Sequence, residues 1–186
     1  MADVLVLLAH PDLARSRVNR AFAAAARSLA ASDARIALRD LYALYPDYLI
    51  DVEAEQQQLA AAHSIVWLHP IQWYAMPPLM KLWVDEVFTS GWAYGDGGTR
   101  LAGKSLWLAV STGGVEAAYA ADGSHQRPFD DFLPPYIQTA ALCGMRWLAP
   151  SVVHGAHQIA TSELEARARA FGERLRSLAG PAPGGH

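Results

Sequence analysis

Three segments of the sequence carry side chains whose types and spacing suit ligand binding. The first, HPDLARSRVN, runs from His10 to Asn19 and ends where a helical pattern begins. Ser16, the Asn19 side chain and the backbone at Arg17 and Val18 can direct hydrogen-bond donors at one anion. The N-terminus of a helix also favours negative charge, so this segment predicts an anion site to which His10 adds a donor. The alternative is that Ser16 only caps the helix.

The second segment, HPIQWYAMPPL, places large aromatic rings in a turn. The preceding SIVWLHP is typical of a buried strand that stops at Pro70, and Trp73 and Tyr74 follow with Gln72 beside them. Core packing is the usual role of such rings. Their position at the carboxyl end of a strand, next to two prolines that stiffen the turn, favours instead a wall against which a planar ligand lies.

The third segment, STGGVEAAYAADGSH, begins at the end of another predicted strand. Gly113 and Gly114 let backbone N–H groups approach a ligand closely. Tyr119 and His125 follow at a spacing of six residues. These two side chains either take part in chemistry or are an ordinary tyrosine and histidine at the surface.

Together the segments describe a ligand with a phosphate, a planar ring system and a ring edge that accepts hydrogen bonds, which matches flavin mononucleotide. A dinucleotide fingerprint is absent, because GDGGTR lacks the final glycine and does not follow a strand. The missing G-x-S-x-G motif disfavours a serine hydrolase. His154 and His157 have a spacing that a metal ion could use, but no third ligand lies nearby, so we expect a surface pair and no metal site.

The composition is typical of a globular protein with one domain. Of the 186 residues, 52% are hydrophobic, which suffices for a sizeable core. The net charge of -3, without a basic run, disfavours nucleic acid as a partner. The single cysteine, Cys143, cannot form an internal disulfide, so a cytoplasmic location is expected. We expect one domain over residues 1–180 and a loose tail, rich in Gly and Pro, over 181–186.

Strand and helix patterns alternate along the chain and would bring the three segments together. Apolar runs predict strands at 3–9, 34–41, 64–69, 104–112 and 145–154, the last kinked at Pro150. Helices are predicted at 16–31, after Asp51, from Pro77 and Pro78, up to Gly144 and up to Gly180. This alternation predicts a doubly wound parallel sheet of order 2-1-3-4-5 with helices on both faces. The loops after strands 1, 3 and 4 then meet at one edge of the sheet.

The sequence also resembles a known family, the flavodoxin-like NAD(P)H:quinone oxidoreductases. It is most similar to the Kef-type ancillary oxidoreductases of glutathione-gated potassium-efflux systems. The resemblance extends from about Val4 to Leu178. Its most specific stretches are LYALYPDYLIDVEAEQ, HPIQWYAMPPLMKLWVDEVFTSGWAYGDGGT and STGGVE.

The resemblance implies a role for each segment. The residues that resemble the loop around the flavin phosphate are His10, Ser16, Arg17, Val18 and Asn19. The residues that match the segment along the isoalloxazine ring are Ile71, Gln72, Trp73 and Tyr74. The residues that match the loop at the pyrimidine edge are Ser111, Thr112, Gly113 and Gly114. Tyr119 and His125 match, in spacing, the pair that assists hydride transfer.

The implied activity is a two-electron reduction of a quinone or similar acceptor by NAD(P)H, in a ping-pong sequence on bound FMN, with FAD as the alternative cofactor. The implied assembly is a homodimer in which SGWAYGDGG helps to build the partner's pocket. An alternative is a regulatory subunit that binds and activates a Kef-type potassium-efflux transporter at the inner membrane, with redox activity secondary. An electron-carrier flavodoxin is disfavoured by the mild net charge of -3 and by the absence of T-x-T-G-x-T.

Overall fold

The computed structural model describes residues 2–180 and contains one five-stranded sheet. All neighbouring strands are parallel, and their order is β2-β1-β3-β4-β5. The strands are β1 (Val4–Leu8), β2 (Ile36–Asp40), β3 (Ser64–Pro70), β4 (Ser105–Ser111) and β5 (Arg146–Val153). The predicted fold class and strand order are therefore confirmed.

Helices cover both faces of the sheet, as predicted. They are α1 (Val18–Ser32), α2 (Leu41–Leu44), α3 (Val52–Ala61), α4 (Pro78–Val87), α5 (Pro134–Leu142) and α6 (Thr161–Ala179). Short 3-10 turns lie at Leu13–Arg15, Glu116–Tyr119 and Phe129–Phe132. Helices α1 and α6 pack on one face, and α2 to α5 pack on the other. The four-residue α2 and the 3-10 turns are too short to show a periodic pattern in the sequence.

The central strands are buried on both sides, which explains their continuous apolar sequences. All residues of β1 and β4 are buried. Along β1, Leu5 and Leu7 pack into one core, whereas Val4, Val6 and Leu8 pack into the other. Because apolar side chains fill both faces, polar side chains from these strands are left to the strand ends and the loops that follow.

Local signals place several element boundaries where the sequence predicts them. The Asp51 carboxylate accepts the N–H of Ala54 at 3.0 Å and caps α3. Pro78 opens α4, where its missing N–H is not needed. Gly144 has φ of 66° just after α5, a left-handed conformation that suits glycine. In β5, one extra residue enters the register beside Pro150, so the predicted kink is a β-bulge.

A buried ion pair fixes β2 to α3 on one side of the sheet. The Glu55 side chain is completely buried, and Arg39 Nε donates to its two carboxylate oxygens at 2.9 and 3.1 Å. The Tyr45 hydroxyl donates to the same carboxylate, and burial together with this bond raises the pKa of Tyr45 to about 12. The pair holds the segment after α2 against the sheet, because a buried carboxylate is stable only while its partners stay in place.

None of the helices within residues 2–180 has both the length and the apolar character that crossing a lipid bilayer requires. Residues 181–186 lie outside the described residues, so the loose tail stays a prediction, as do the domain bounds 1–180.

His69 is a completely buried histidine near the end of β3. Its ring stacks on Tyr136 with centroids 5.8 Å apart, and its Nδ1–H donates to the Pro70 carbonyl at 2.9 Å. Among residues 2–180, Nε2 finds no hydrogen-bond partner. Burial disfavours the charged ring and lowers the pKa of His69 to about 4.

We therefore expect His69 to make the protein less stable in mild acid. An unfolded histidine has a pKa of about 6.5, so below that pH the unfolded state binds more protons than the folded state, and the free energy of unfolding falls as pH falls towards 4. Between pH 7 and pH 5 this loss is roughly 2 kcal/mol. Urea unfolding of the wild type and His69→Asn at both pH values measures it. The same pH dependence in the variant would contradict the assignment.

Candidate functional site

A cavity of about 420 Å³ lies at the carboxyl ends of β1, β3 and β4, within the usual size range of small-molecule sites. Nine of the thirteen residues that the sequence predicts to bind a cofactor line it: His10, Ser16, Arg17, Asn19, Ile71, Gln72, Ser111, Thr112 and Gly113. The other lining residues are Asp12, Arg15, Pro70, Ala156 and His157. Three loops that are far apart in sequence thus share one concave surface, as the strand order predicts.

Asn19 joins two of these loops from within the core. Its side chain is buried, and its Nδ2 donates to Ser111 Oγ at 2.8 Å and more weakly to Ser16 Oγ at 3.4 Å. Its backbone N–H also donates to Ser16 Oγ, at 3.1 Å. Ser16 therefore does cap the helix, but only through its lone pairs. The hydroxyl proton stays available for a ligand in the cavity.

The start of α1 offers donors and positive charge to an anion. The first N–H groups of a helix have no partner within the helix, and those of Arg17 and Val18 stand at this position. The Val18 side chain itself is buried in the core. Arg15 and Arg17 both line the cavity, and the Arg17 guanidinium donates to the His157 carbonyl at 3.2 Å.

The tautomer of His10 is fixed by a neighbouring amide. The Asp12 N–H donates to His10 Nδ1 at 3.0 Å, so the proton of the neutral ring sits on Nε2. Burial lowers the pKa of His10, and the nearby Asp12 and Asp40 oppose that shift. A neutral ring with Nε2–H is thus one more donor at the cavity wall.

One buried acceptor in this wall has no partner within residues 2–180: Asn19 Oδ1. Buried polar atoms in folded proteins are normally hydrogen-bonded, and an exception calls for an explanation. A hydroxyl group of a ligand would satisfy this oxygen. The donors at the start of α1 and the acceptor on Asn19 therefore fit a ligand that carries both an anionic group and a hydroxylated chain.

The segment after β3 forms a tight turn whose central residues are Trp73 and Tyr74. The backbone N–H of Gln72 donates to the Ala75 carbonyl at 2.9 Å, and the reverse bond measures 3.1 Å. Both central residues have positive φ, 47° for Trp73 and 64° for Tyr74. This is the signature of a type I′ turn, which normally takes Asn and Gly. For bulky residues the conformation costs roughly 1–2 kcal/mol each, and such strain is typical of functional sites.

Trp73 is not a core residue, since 94% of it is exposed. Tyr74 turns instead towards a group of aromatic rings beside the cavity. It stacks on Phe132 with centroids 4.9 Å apart, and its hydroxyl lies 3.4 Å from His125 Nδ1. The ring of Tyr119 lies 4.5 Å from that of His125. Tyr119 and His125 are thus brought together with the turn, and Tyr119 is buried instead of lying at the surface.

The loop after β4 is held by neighbours on both sides. The Ile71 N–H donates to the Ser111 carbonyl at 2.7 Å. The Thr112 N–H donates to the carbonyl of Val153, the last residue of β5, and the Thr112 carbonyl accepts from the Ala156 N–H, both at 2.9 Å. Gly114 supports the aromatic rings. A Cβ added there would lie 3.0 Å from His125 Nε2 and 3.4 Å from a carbon of Tyr119, whereas one on Gly113 would meet nothing closer than 3.8 Å.

The chain after β5 forms a fourth wall that the sequence interpretation misses. His157 lines the cavity, and His154 is half-buried with its Nδ1 2.9 Å from Thr112 Oγ1. The expectation of a plain surface pair is therefore wrong for His154. The strand order contained the signal, because β5 lies next to β4 and its carboxyl end must border the same edge of the sheet.

The family follows from a comparison of the whole chain. A family model described as flavodoxin-like fold matches residues 2–175. The chain belongs to this flavodoxin-like family. The flavodoxin-like protein is 46% identical over 172 residues to the ancillary protein KefF of the glutathione-regulated potassium-efflux system of Salmonella typhimurium, covering 92% of this chain and 94% of that relative. The resemblance identified from the sequence is confirmed.

Solved structures agree with this assignment. General stress protein 14 of Treponema denticola, solved in complex with FMN, is 39% identical with a TM-score of 0.87, covering 95% of this chain and 99% of that one. An NADPH-quinone reductase of P. pentosaceus is 27% identical with a TM-score of 0.82, covering 94% and 98% of the two chains. The flavodoxin-like protein thus shares its architecture, over almost its whole length, with an FMN-bound protein and with an NADPH-quinone reductase.

We expect the type I′ turn to be stabilised by a residue that tolerates positive φ. Trp73→Asn should raise the free energy of unfolding by about 1 kcal/mol, because asparagine adopts the left-handed conformation at low cost. Trp73→Val removes the same exposed ring but is β-branched, and it should bring no gain. Denaturant unfolding of the two variants compares them. Equal stabilities would show that the turn stores no strain.

A second prediction uses adjacent glycines as a matched pair. Gly114→Ala should lower the free energy of unfolding by about 1–3 kcal/mol, because the new methyl group overpacks His125 and Tyr119. Gly113→Ala makes only ordinary contacts, so it should cost little. Thermal unfolding gives both values, and the NMR signals of the His125 ring report its displacement. A tolerated Gly114→Ala with an unmoved ring would contradict this packing.

Proposed function

We propose that the protein is an FMN-dependent oxidoreductase that takes two electrons from NAD(P)H and passes them to a quinone or a similar planar acceptor. The observation that carries the proposal is one cavity at which three features meet: donors suited to an anion, the Asn19 Oδ1 acceptor that has no partner within residues 2–180, and the Gly113 backbone. The similarity to an FMN-bound protein and to an NADPH-quinone reductase supports it.

The residues present fit FMN group by group. The phosphate would be held by Ser16, the amides of Arg17 and Val18, and His10 Nε2–H. The hydroxylated ribityl chain would satisfy Asn19 Oδ1. The ring would be held beside Ile71 and Gln72, with the amides of Gly113 and Gly114 at its pyrimidine edge. We favour FMN over FAD because the T. denticola relative is solved with FMN.

Bound FMN would supply the redox chemistry: its ring system can take up a hydride from NAD(P)H and give two electrons to the acceptor. The contribution of the chain is electrostatic and geometric. Backbone N–H groups of Gly113 and Gly114 stabilise negative charge that develops at their edge of the site, without reorganising. We assign to His125 the role of holding a proton; the position of its Nε2 next to Gly114 and of its Nδ1 3.4 Å from the Tyr74 hydroxyl supports this role. Tyr119 supports that ring and can donate its hydroxyl.

The turn at Trp73 and Tyr74 supplies the wall for substrates. Nicotinamide and quinone are both planar, and both can pack against the same aromatic surface in succession. One shared surface requires the first product to leave before the acceptor binds, which is a ping-pong sequence. A rigid turn reduces the ordering cost of each binding event.

We further propose a homodimer in which one protomer's SGWAYGDGG segment, residues 90–98, completes the partner's site. The segment is preorganised. Its Ala93 is buried and bonded to the Thr89 carbonyl at 2.9 Å, and the Gly91 N–H donates to the Tyr94 carbonyl at 2.8 Å. The large exposure of Trp73 in a single chain is consistent with a surface that an assembly covers.

A second candidate function is regulation of a potassium-efflux transporter. The 46% identity to KefF, an ancillary protein of such a system, favours it. In this case the protein would be cytoplasmic and would attach to the inner membrane through the transporter. The two functions are compatible, because a flavin site could report the redox state to a partner.

The test combines cofactor retention with single-turnover kinetics. We expect the purified chain to bind FMN, to be reduced by NADH or NADPH under anaerobic conditions, and to be reoxidised by a soluble quinone. Ser16→Ala should weaken FMN binding roughly tenfold, since a hydrogen bond to a charged group is lost. Ser28→Ala makes the same change on the exposed side of α1 and should bind FMN as the wild type does.

The outcomes separate the candidate functions. Bound FMN that NAD(P)H does not reduce would contradict the enzyme, and an unchanged affinity in Ser16→Ala would contradict the phosphate site. Co-purification with a Kef-type transporter, together with a change in potassium efflux, would support the regulatory function. A protein whose bound FMN is reduced rapidly, but which does not bind the transporter, would support the enzymatic function and not the regulatory one.

A further inference from the structure

We propose that His154 is a positioning residue of the flavin site, which orients Thr112 and, through it, the Gly113–Gly114 loop. The effect on flavin binding rests on the proposed function, whereas the hydrogen bonds that connect His154 to the loop are independent of it. His154 follows the last residue of β5 and is half-buried, with its ring 5.0 Å from Tyr119 and 5.3 Å from Phe129 between centroids.

The direction of each hydrogen bond follows from the chemistry of the groups. Thr112 Oγ1 lies 2.8 Å from the Gly114 carbonyl oxygen, and a carbonyl only accepts, so the hydroxyl must donate there. A hydroxyl has one proton. Thr112 Oγ1 must therefore accept from His154 Nδ1, which lies 2.9 Å away. The proton of the neutral ring is thereby fixed on Nδ1, and Nε2 is left with its lone pair.

This chain of bonds pins the glycine loop at both ends. The Gly114 carbonyl accepts from the Thr112 hydroxyl and also from the Gly155 N–H at 2.8 Å. The backbone of Thr112 is bonded to Val153 and Ala156. The amides of Gly113 and Gly114 take part in none of these bonds and remain for a ligand. Without the bond from His154, the hydroxyl of Thr112 could rotate and release the Gly114 carbonyl.

The surroundings of His154 keep its ring neutral. It lines a second cavity of about 470 Å³ together with Glu116, Tyr119 and Asp130. Burial is the largest influence and lowers the pKa of His154, Glu116 opposes that shift, and Arg167 on α6 adds to it. A neutral ring protonated on Nδ1 suits the bond to Thr112.

The test uses variants that differ in the donor at the position of Nδ1. His154→Asn keeps an N–H there, whereas His154→Leu fills similar space without one. Thr112→Val removes the hydroxyl, and Thr112→Ser retains it. For each full-length chain we would measure the Kd for FMN, the visible spectrum of the bound flavin, and the amide NMR shifts of residues 112–114 without FMN.

We expect His154→Leu to weaken FMN binding about tenfold, as does the loss of one hydrogen bond of ordinary strength, and to shift the flavin spectrum. His154→Asn should stay within about threefold of the wild type. His154→Leu combined with Thr112→Val should be no weaker than Thr112→Val alone, because both changes break one chain.

Three results would overturn the proposal: unchanged FMN binding in His154→Leu, equal losses in the Asn and Leu variants, or additive losses in the double variant. If His154→Leu fails to fold, FMN binding by Thr112→Val is compared with that by Thr112→Ser and by His154→Asn. Weaker binding in the Val variant alone supports the proposal, and equal binding in all three overturns it. If the wild type binds no FMN, the proposed function fails, and the amide shifts decide alone. Shifts that move in the Leu variant and not in the Asn variant support the positioning role, and any other pattern overturns it.

Discussion

The burial of the central strands on both faces is the constraint on which the other features depend. A strand that is covered on two sides by helices has no room for polar side chains along its length. Its polar chemistry is therefore confined to the loops, and in a parallel sheet the loops that follow the strands share one edge. The cavity, the start of α1 and the glycine loop all lie at that edge. These features lie close together because the buried parallel strands end at the same edge of the sheet.

Within this frame, a few bonds convert nearby loops into a defined surface. Asn19 connects the loop after β1 to Ser111 at the end of β4. Thr112 connects that loop in turn to the chain after β5. The turn at Trp73 and Tyr74 contributes differently, because its conformation is unfavourable in isolation and persists through the backbone bonds between Gln72 and Ala75. Rigidity at the site thus comes from long-range bonds on two sides and from a locally strained hairpin on the third.

The fold and most of the residues that line the cavity could be predicted from sequence patterns, because these patterns reflect short-range interactions. The periodicity of apolar residues gives the strands and helices, and the alternation of elements gives the sheet order. Ser16 and Asn19 stand at a helix start that can be read locally. The type I′ turn could not be predicted, since Trp and Tyr lack a preference for positive φ. The partner of His154 is 42 positions away in the chain, so no local pattern reveals the bond. Glu55 stands in the first turn of α3, where an acidic residue is common, and only the packed structure shows its pairing with Arg39.

That pairing has a consequence for how sequences of this fold can diverge. Arg39 and Glu55 come from different elements, and Glu55 is completely buried. Losing the arginine alone would strand a carboxylate in the core, at a cost of about 3–5 kcal/mol, which is a large part of the stability of a typical domain. Replacing both with apolar residues of similar volume can be nearly neutral. The two positions should therefore covary in evolution, because a substitution at one of them alone destabilises the fold. Related chains should either keep both residues or have replaced both.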